Sequence, residues 1–316
     1  MGEQLEIDAG REDGARPVGN IYYGTSSWTD RTLLASKRFY PSSARSAADR
    51  LRFYAERFPL VEVDATYYAL PSERNAALWI ERTPPQFVFN VKAFALLTQH
   101  PVAPRSLPQA VKDMLPPEAH EKGRLYPRDL PPEARDLVSE MFVSGIEPLF
   151  RAGKLGMVLF QFPHWFGRNR GSIDYLHELA ERFPYKIAAE FRGGGWMVEG
   201  RAERTLKLLE ELGMAYVVVD EPQGFKSSTP PVVACTSSDL AVLRFHGHNS
   251  EAWEKPGLTA AERFRYLYDE EELRRWVEPA RELAGQAEQL HVLMNNCYED
   301  YGVRNASQLA TMLGES

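Results

Sequence analysis

The stretch Leu60-Val61-Glu62-Val63-Asp64-Ala65-Thr66-Tyr67-Tyr68 alternates apolar and polar residues from Val61 onward. Successive side chains of a β-strand point to opposite faces, so Glu62, Asp64 and Thr66 would share one face. Two settings suit such a strand: the half-exposed side of a small antiparallel sheet, or a closed barrel whose mouth receives the polar face. The rest of the chain decides between them.

The same unit, a strand followed by a helix, recurs along the chain. Strands are predicted at 21–26, 60–66, 86–92, 155–161, 186–192, 215–220, 240–246 and 290–296. Helices are predicted after seven of them, at 46–58, 72–83, 133–152, 172–183, 199–212, 261–284 and 304–313, with Ser46 as an N-cap. Strands that alternate with helices form a parallel sheet, and eight such units close a TIM barrel. We therefore predict a single (β/α)8 domain at 20–316; the alternative, a doubly wound open sheet, lacks a GxGxxG after the first strand.

Two segments lie outside the repeat. Residues 1–19 are polar and charged, without the apolar core of a secretory signal, and are predicted to be a mobile tail. Residues 98–132 contain eight prolines and leave the third strand at its carboxyl end. In a barrel that end carries the active site, so we expect this insertion to wall or cover the pocket; a surface insertion without function is the alternative.

Composition limits the function classes. The net charge of −7 argues against broad, non-specific binding of nucleic acid, although a local basic patch inside a cleft could still bind it. Two cysteines, Cys235 and Cys297, in 316 residues indicate a reducing compartment and no disulfide framework. No apolar run reaches the ~18 residues of a membrane span. We therefore expect a cytoplasmic protein with no membrane partner.

Polar side chains recur in one phase at the carboxyl ends of the predicted strands. A deeper layer would contain Glu62, Glu190 and Arg244, and an outer layer Asp64, Lys92, Arg192 and His246. Further candidates at the strand ends are Thr66, Asn90, Gln161, Asp220, Asn295 and Asn296. Because desolvation makes buried ion pairs poor stabilisers, so many charges favour a functional pocket over a purely structural network.

Other features allow more than one interpretation. His246 and His248 form an HxH pair that could bind a metal with Glu62, Glu190 or Asp220. The basic residues of the same pocket would repel a cation, so no metal site is predicted and the cofactor is left unknown. Several aromatic residues follow strand ends and would suit stacking on a sugar ring or base, or simple packing: Trp28, Tyr67, Tyr68, Trp165 and Trp196. The Gly193-Gly194-Gly195 turn would let a ligand approach the backbone closely.

The order of these motifs resembles the YecE-like proteins. The matching segments are Gly24-Thr25-Ser26-Ser27-Trp28, Phe39-Tyr40-Pro41, 61–71, 87–92, Lys154-Leu155-Gly156, 159–163, Glu190-Phe191-Arg192, Arg244-Phe245-His246-Gly247 and Asn295-Asn296. The resemblance covers about residues 21–312 and implies a single TIM barrel in a family of unknown function. It also implies a distant likeness in fold to xylose-isomerase-type and endonuclease-IV-type barrels. Two departures are the glycines at 193–195, where the family usually has His and Ser, and Met294, where it usually has an aromatic residue.

The sequence is compatible with three functions. The first is an enzyme that acts on a small anionic or phosphorylated molecule. Its general acid/base residues would be Glu62, Glu190 and His246. Its substrate-binding residues would be Trp28, Asp64, Thr66, Lys92, Gln161, Arg192, Trp196, Asp220, Arg244, Asn295 and Asn296. The second is a metal-assisted phosphodiester hydrolase, suggested by the fold analogy alone. The third is a non-catalytic nucleic-acid-binding module with a local basic mouth.

Overall fold

A computed structural model describes residues 14–193 and 195–315. Eight parallel strands pair in chain order and close into a barrel, as the alternation of strands and helices predicts. They are β1 (Ile21–Thr25), β2 (Leu60–Val63), β3 (Val88–Lys92), β4 (Leu155–Gln161), β5 (Ile187–Glu190), β6 (Ala215–Asp220), β7 (Ala241–Phe245) and β8 (Leu290–Met294). The predicted (β/α)8 barrel is confirmed.

Helices surround the barrel. Those that follow β1 to β3 are α1 (Arg31–Ser36), α2 (Ala47–Ala55), α3 (Ala65–Tyr68), α4 (Glu73–Glu81), α5 (Gln109–Lys112), α6 (Pro117–His120) and α7 (Pro132–Arg151). The others are α8 (Arg170–Arg182), α9 (Ala202–Glu211), α10 (Ala260–Arg263), α11 (Glu270–Arg274), α12 (Val277–Ala284) and α13 (Tyr301–Gly314). Ser46 caps α2 as predicted, since its hydroxyl accepts a hydrogen bond from Asp49 N while the Asp49 carboxylate accepts one from Ser46 N.

Two apolar cores result from the strand alternation. The larger core lies between barrel and helices and includes Val61, Val63 and Phe89. The smaller core fills the barrel itself, with Leu60, Val88, Met157, Leu159, Ala188, Ala215, Val217, Val219, Leu240, Val242 and Leu293. The polar side chains of the interior therefore lie above an apolar floor.

Glycine permits close strand contacts at two points of the barrel. A Cβ atom on Gly24 would lie 1.9 Å from the carbonyl oxygen of Leu60 on β2, and one on Gly156 would lie 2.5 Å from Asn90 Oδ1. Both glycines belong to the motifs of the sequence resemblance. Any larger residue would force the neighbouring strands or side chains to move.

Several predicted boundaries change. β2 ends at Val63, so Thr66 lies in α3 rather than on a strand face, and β5 ends at Glu190, so Arg192 lies in the following loop. The helical region predicted at 261–284 is three separate helices, α10 to α12. These strands are shorter than predicted because the side-chain alternation continues past the last ladder hydrogen bonds.

The N-terminal segment is only partly described. Residues 1–13 of the predicted tail lie outside the described residues. Gly14 is buried, and the Ala15 amide donates a hydrogen bond to the carbonyl of Ala55 at the end of α2. The described chain is thus packed against the end of α2 from Gly14 onward.

The proline-rich insertion has an ordered internal structure. It contains α5, α6 and two 3₁₀ turns, Pro104–Ser106 and Pro127–Asp129, and a third turn, Ala95–Thr98, leads into it. Val102 and Leu125 pair through two backbone hydrogen bonds, which closes the insertion on itself. Apolar side chains anchor it to the outer core: Leu107, Val111, Leu115, Ala119, Leu125 and Leu130. The prolines thus belong to a packed element rather than to an irregular loop.

Candidate functional site

Each strand, or the residue directly after it, places at least one polar side chain at the carboxyl end of the barrel interior. The eight residues, in chain order, are Ser26, Glu62, Lys92, Gln161, Glu190, Glu221, Arg244 and Asn295. Six of them are candidates from the sequence. Ser26 and Glu221 were missed.

Arg244 occupies the centre of this layer and is fully buried. Its Nε and Nη2 atoms donate to the two carboxylate oxygens of Glu62 at 3.1 and 2.7 Å, and its Nη1 donates to Glu190 Oε2. Nη2 also lies 3.3 Å from the Ser26 hydroxyl. The guanidinium is therefore neutralised by two buried carboxylates, which raise the Arg244 pKa further against the effect of burial.

Glu190 connects Arg244 to the rest of the mouth. Its Oε1 accepts a hydrogen bond from Gln161 Nε2 at 2.5 Å and lies 3.0 Å from Arg192 Nη2 and 3.1 Å from His246 Nε2. Burial would raise the pKa of this carboxyl, but the two guanidinium groups outweigh burial and keep the pKa well below its ordinary value. Glu190 is consequently a permanent carboxylate with every oxygen occupied.

His246 is a neutral, buried imidazole with partners at both ring nitrogens. Its Nδ1 accepts from the Asn295 amide at 2.8 Å and its Nε2 lies 3.1 Å from Glu190 Oε1, while Arg192 Nη2 lies 3.1 and 3.0 Å from Nδ1 and Nε2. Burial, followed by the charge of Arg192, lowers the His246 pKa to about 3. Asn295 thus orients the imidazole.

Arg192 and Glu221 form a second buried pair nearer to solvent. Arg192 Nη1 donates to Glu221 Oε2, and Glu221 Oε1 accepts from the Thr229 amide at 2.7 Å. Burial raises the Glu221 pKa to about 7 despite the neighbouring guanidinium. The side chain of Arg192 keeps 12% of its surface exposed, so this guanidinium reaches the mouth.

Asp220 was the acid predicted for this place, and the structure puts it elsewhere. It shares the phase of Tyr216 and Val218, which face the outer core, whereas Glu221 continues the inward phase of Val217 and Val219. Asp220 Oδ2 lies 2.9 Å from His248 Nε2, and the Tyr268 hydroxyl is also a partner. Asp220 therefore belongs to a polar group outside the barrel, and the HxH pair is split between the two groups.

Lys92 and Asp64 lie on the β2–β3 side of the mouth, and both are partly exposed. The Lys92 ammonium sits 5.0 Å from the centre of the Tyr67 ring. Burial and the charge of Arg244 lower the Lys92 pKa, while burial raises the Asp64 pKa to about 6, partly offset by Lys92. Both pKa values therefore move towards neutral pH, where a residue can both donate and accept a proton.

Four other predicted site residues have structural contacts. Thr66 donates from its hydroxyl to the carbonyls of Val63 and Lys92 at 2.9 and 2.6 Å, and so joins the ends of β2 and β3. Asn296 donates to Tyr266 O and Asn305 Oδ1. Trp196 is fully buried and stacked at 4.4 Å on Phe191, and Trp28 packs edge-on against Trp79. Trp196 was predicted at the mouth; its burial instead places it in the outer core.

A cavity of about 280 Å³ opens over Arg192. Two indoles and two cations line it: Trp165, Trp253, Arg192 and Arg263. The remaining lining residues are His100, Gln161, Phe162, Pro163, His164, Ser227 and Phe264, so none of the described lining residues is acidic. Arg263 donates to the carbonyls of Ala252, Trp253 and Lys255. We call this space the mouth cavity.

A larger groove, of about 620 Å³, lies beside the mouth cavity. The insertion forms one wall through Tyr126 and Arg128, and α7 and α8 form the others. Trp165 lines both spaces. The insertion therefore walls a groove next to the mouth, and His100 at its start lines the mouth cavity itself.

The described acidic and imidazole side chains of the mouth are not arranged as metal ligands. Within residues 14–193 and 195–315, no group of three or more His, Cys, Asp or Glu side chains is arranged to hold a metal ion. The oxygens of Glu62 and Glu190 are occupied by Arg244 and its neighbours. Both ring nitrogens of His246 already have partners in Asn295, Glu190 and the guanidinium of Arg192.

Comparison with known proteins identifies the family. The family model described as "Protein of unknown function DUF72" matches residues 22–316. The chain belongs to the DUF72 family. The curated relatives include the UPF0759 protein YunF of Bacillus subtilis, 31% identical over 300 residues that cover 93% of this chain and 94% of YunF. The UPF0759 protein YecE of Escherichia coli is 27% identical over 203 residues, covering 63% of this chain and 59% of YecE. The resemblance to YecE-like proteins is thereby confirmed.

Solved DUF72 structures share the fold. A DUF72 protein from Thermotoga maritima superposes with a TM-score of 0.72 at 32% identity, covering 93% of this chain and 99% of that one. A DUF72 protein from Enterococcus faecalis gives a TM-score of 0.74 at 25% identity, covering 94% and 96% of the two chains. These names give the family and fold and specify no activity. In the described part of this chain, no helix is both long and apolar enough to cross a bilayer.

Proposed function

We propose that this DUF72 protein is an enzyme that acts on a small anionic molecule bound in the mouth cavity. The observation that carries the proposal is the composition of that cavity. It presents Arg192 and Arg263 with no acidic residue among its described lining, beside the indoles of Trp165 and Trp253. Guanidinium groups bind phosphate and carboxylate, and indoles stack on planar rings. The best-fitting ligand is a phosphorylated or carboxylated compound with a ring.

The three cations predicted to bind the anion, Lys92, Arg192 and Arg244, differ in how far they are available to a ligand. Arg244 is fully buried and bound to Glu62 and Glu190, so we assign it a structural role beneath the mouth cavity. Arg192 is the cation that both joins this network and lines the mouth cavity. We assign the first contact with the anion to Arg192, assisted by Arg263.

Proton transfer is assigned to two partly exposed ionisable residues on the β2–β3 side of the mouth, which lie beside the lining of the mouth cavity rather than within it. Glu62, Glu190 and His246 are buried and hydrogen-bonded, which favours a positioning role over direct acid/base catalysis. Asp64 and Lys92 are partly exposed, and their pKa values shift towards neutrality. We propose that these two exchange protons with the substrate, while the buried network fixes Arg192 and His246.

Binding can be tested through the two indoles of the mouth cavity. Tryptophan fluorescence would be titrated with ribose 5-phosphate and AMP, and with ribose and adenosine as neutral analogues. We expect a response to the anions that weakens at high salt. The Arg192→Met variant should lose about tenfold or more in affinity, equivalent to about 1.4 kcal/mol.

Arg151→Met supplies the matched control, because Arg151 ends α7 at the opposite face of the barrel. It should bind as the unmodified protein does, and circular dichroism would verify that both variants are folded. Equal binding of anions and neutral analogues, or full affinity in Arg192→Met, would contradict the proposal. For any anion that binds, NMR-monitored turnover should fall in Asp64→Asn.

The two other functions gain no specific support from the described residues. Metal-assisted phosphodiester hydrolysis would need carboxylates or imidazoles free to bind a cation, and Glu62, Glu190 and His246 are committed to other partners. A nucleic-acid-binding surface would need an extended basic stripe, whereas the cations of the mouth lie inside a small cavity. A small anionic ligand therefore remains the proposal.

A further inference from the structure

Lys92 differs from the other cations of the barrel mouth in its partners. Arg192 and Arg244 each contact two carboxylates. Among the described residues, no carboxylate oxygen lies within 4.0 Å of Lys92 Nζ. Its side chain instead lies over the ring of Tyr67. A lysine whose only role was to balance buried acids would pair with one of them.

The backbone of Lys92 is held by hydrogen bonds, whereas its ammonium has no carboxylate partner among residues 14–193 and 195–315. Its carbonyl accepts the Thr66 hydroxyl at 2.6 Å, and the next amide, of Ala93, donates to Leu159 O on β4 at 2.9 Å. Lys92 thus has a fixed backbone position at the end of β3, and its ammonium lies over the ring of Tyr67. The ring of Tyr67 also contacts that of His100, which lines the mouth cavity, so this wall is continuous with the cavity.

We propose that Lys92 forms an imine with the carbonyl carbon of an anionic aldehyde or ketone, with Arg192 holding the anionic group. This inference rests on the proposed function and names its substrate class: 2-oxo acids and phosphorylated carbonyl compounds. Lysines become nucleophilic when they are desolvated or placed beside another cation, and both conditions hold here. Burial and the charge of Arg244 favour the neutral amine.

Imine formation needs only the amine of Lys92, the carbonyl compound and one proton donor. The neutral Lys92 amine adds to the carbonyl carbon, the C=O π bond breaks as the C–N bond forms, and one of the two nitrogen protons moves to the oxygen to give a neutral carbinolamine. The C–O bond of this carbinolamine then breaks, and water leaves with one further proton. Asp64 donates that proton and recovers one when water adds back. No atom is oxidised or reduced.

Reductive trapping tests the inference. The protein would be incubated with pyruvate or dihydroxyacetone phosphate, treated with sodium borohydride, digested and analysed by mass spectrometry. We expect several-fold more borohydride-dependent adduct on Lys92 than on Lys207, which is exposed on α9. Neutral dihydroxyacetone should label Lys92 less than its phosphate ester does.

Two variants complete the test. Lys92→Arg keeps the charge and should lose the adduct at this site, whereas Lys207→Arg should leave labelling of Lys92 unchanged; thermal melting would verify that both fold. Labelling of Lys92 no greater than that of Lys207 would overturn the inference, even if anions bind in the mouth cavity and the proposed function stands. Failure of every anion to bind, with Lys92 still labelled selectively, would instead remove the proposed function and leave the amine chemistry.

Discussion

The lower and upper parts of the barrel interior differ in chemistry although the same eight strands build them. Below, Met157, Leu159 and Leu293 pack with the other apolar residues of the inner core. The polar pair at this level, His291 Nδ1 and Asn90 Oδ1 at 3.0 Å, is uncharged, because burial lowers the His291 pKa to about 3. Above, the interior contains two guanidinium groups and several carboxylates within hydrogen-bonding distance of one another.

This contrast separates residues that stabilise the fold from residues kept for another reason. Apolar filling stabilises a barrel through burial and dispersion. Buried charges must first be desolvated, at a cost of several kcal/mol per ion, and often contribute no more than hydrophobic residues of the same size would. Under the proposed function, the upper layer is retained for binding and chemistry and the lower layer for stability, and substitutions in the two parts should differ accordingly.

The largest effect should follow removal of the central cation. Arg244→Met keeps much of the side-chain volume but leaves Glu62 and Glu190 buried without their main partner. We expect a loss of about 3–5 kcal/mol in the free energy of unfolding at pH 7. Chemical denaturation followed by circular dichroism would measure it.

Met157→Leu is the matched change in the lower part, because it conserves both volume and polarity. It should cost less than about 1.5 kcal/mol. If Arg244→Met costs no more than Met157→Leu, the upper network is not held together by its charges. Adding Glu190→Gln to Arg244→Met should recover part of the loss, since it removes one of the unpaired carboxylates.

A smaller, pH-dependent effect is expected at His246. The folded pKa of about 3 lies below the value of about 6.5 for an unfolded chain, so between these values the unfolded state binds the extra proton. The stability that the neutral imidazole contributes is present above pH 6.5 and is lost as the pH falls towards 3. The advantage in stability of the unmodified protein over His246→Gln should shrink on acidification, by at most about 1.4 kcal/mol per pH unit.

Denaturation curves for both proteins at pH 7, 6, 5 and 4 would show this trend. Comparing the two proteins is necessary because Asp64 and Glu221, whose pKa values are raised to about 6 and about 7, act in the opposite direction. A difference that grows on acidification would show that His246 is protonated in the folded protein.

The smallest effect on stability should come from Trp165, whose side chain is exposed at the rim. It has 52% of its surface exposed and contacts the rings of His100 and His164. Trp165→Ala should change the free energy of unfolding by no more than about 0.5 kcal/mol. It should nevertheless weaken binding of ring-containing anions in the fluorescence titration. A large loss of stability would assign this indole to the fold instead.

The sequence predicted the barrel well because side-chain alternation and helical spacing are local signals. The opening stretch shows both the strength and the limit of that logic. Glu62 points into the barrel as predicted, whereas Thr66 does not, because the chain turns into α3 after Asp64. Alternation does not report where a strand stops, since the turn depends on hydrogen bonds to neighbouring strands.

The candidate site was predicted in part for the same reason. Choosing the last polar residue of β6 favoured Asp220, although continuing the inward phase from Val217 and Val219 would have selected Glu221. Ser26 could be found likewise from the phase of β1. The mouth cavity and the groove could not, because the insertion, α10 and the loops after β4 and β6 meet there only in three dimensions.

The span of the Arg244 contacts has a kinetic consequence. Its partners Ser26 and Glu62 lie 218 and 182 residues away in the chain, so these contacts form only when the strands at both ends of the sequence come together. We expect these contacts to form late in folding, because a long loop must close before they can stabilise the chain. A substitution at Arg244 should accordingly accelerate unfolding far more than it slows folding. The unfolding rate of such a variant would then report on the closure of the eight-stranded barrel.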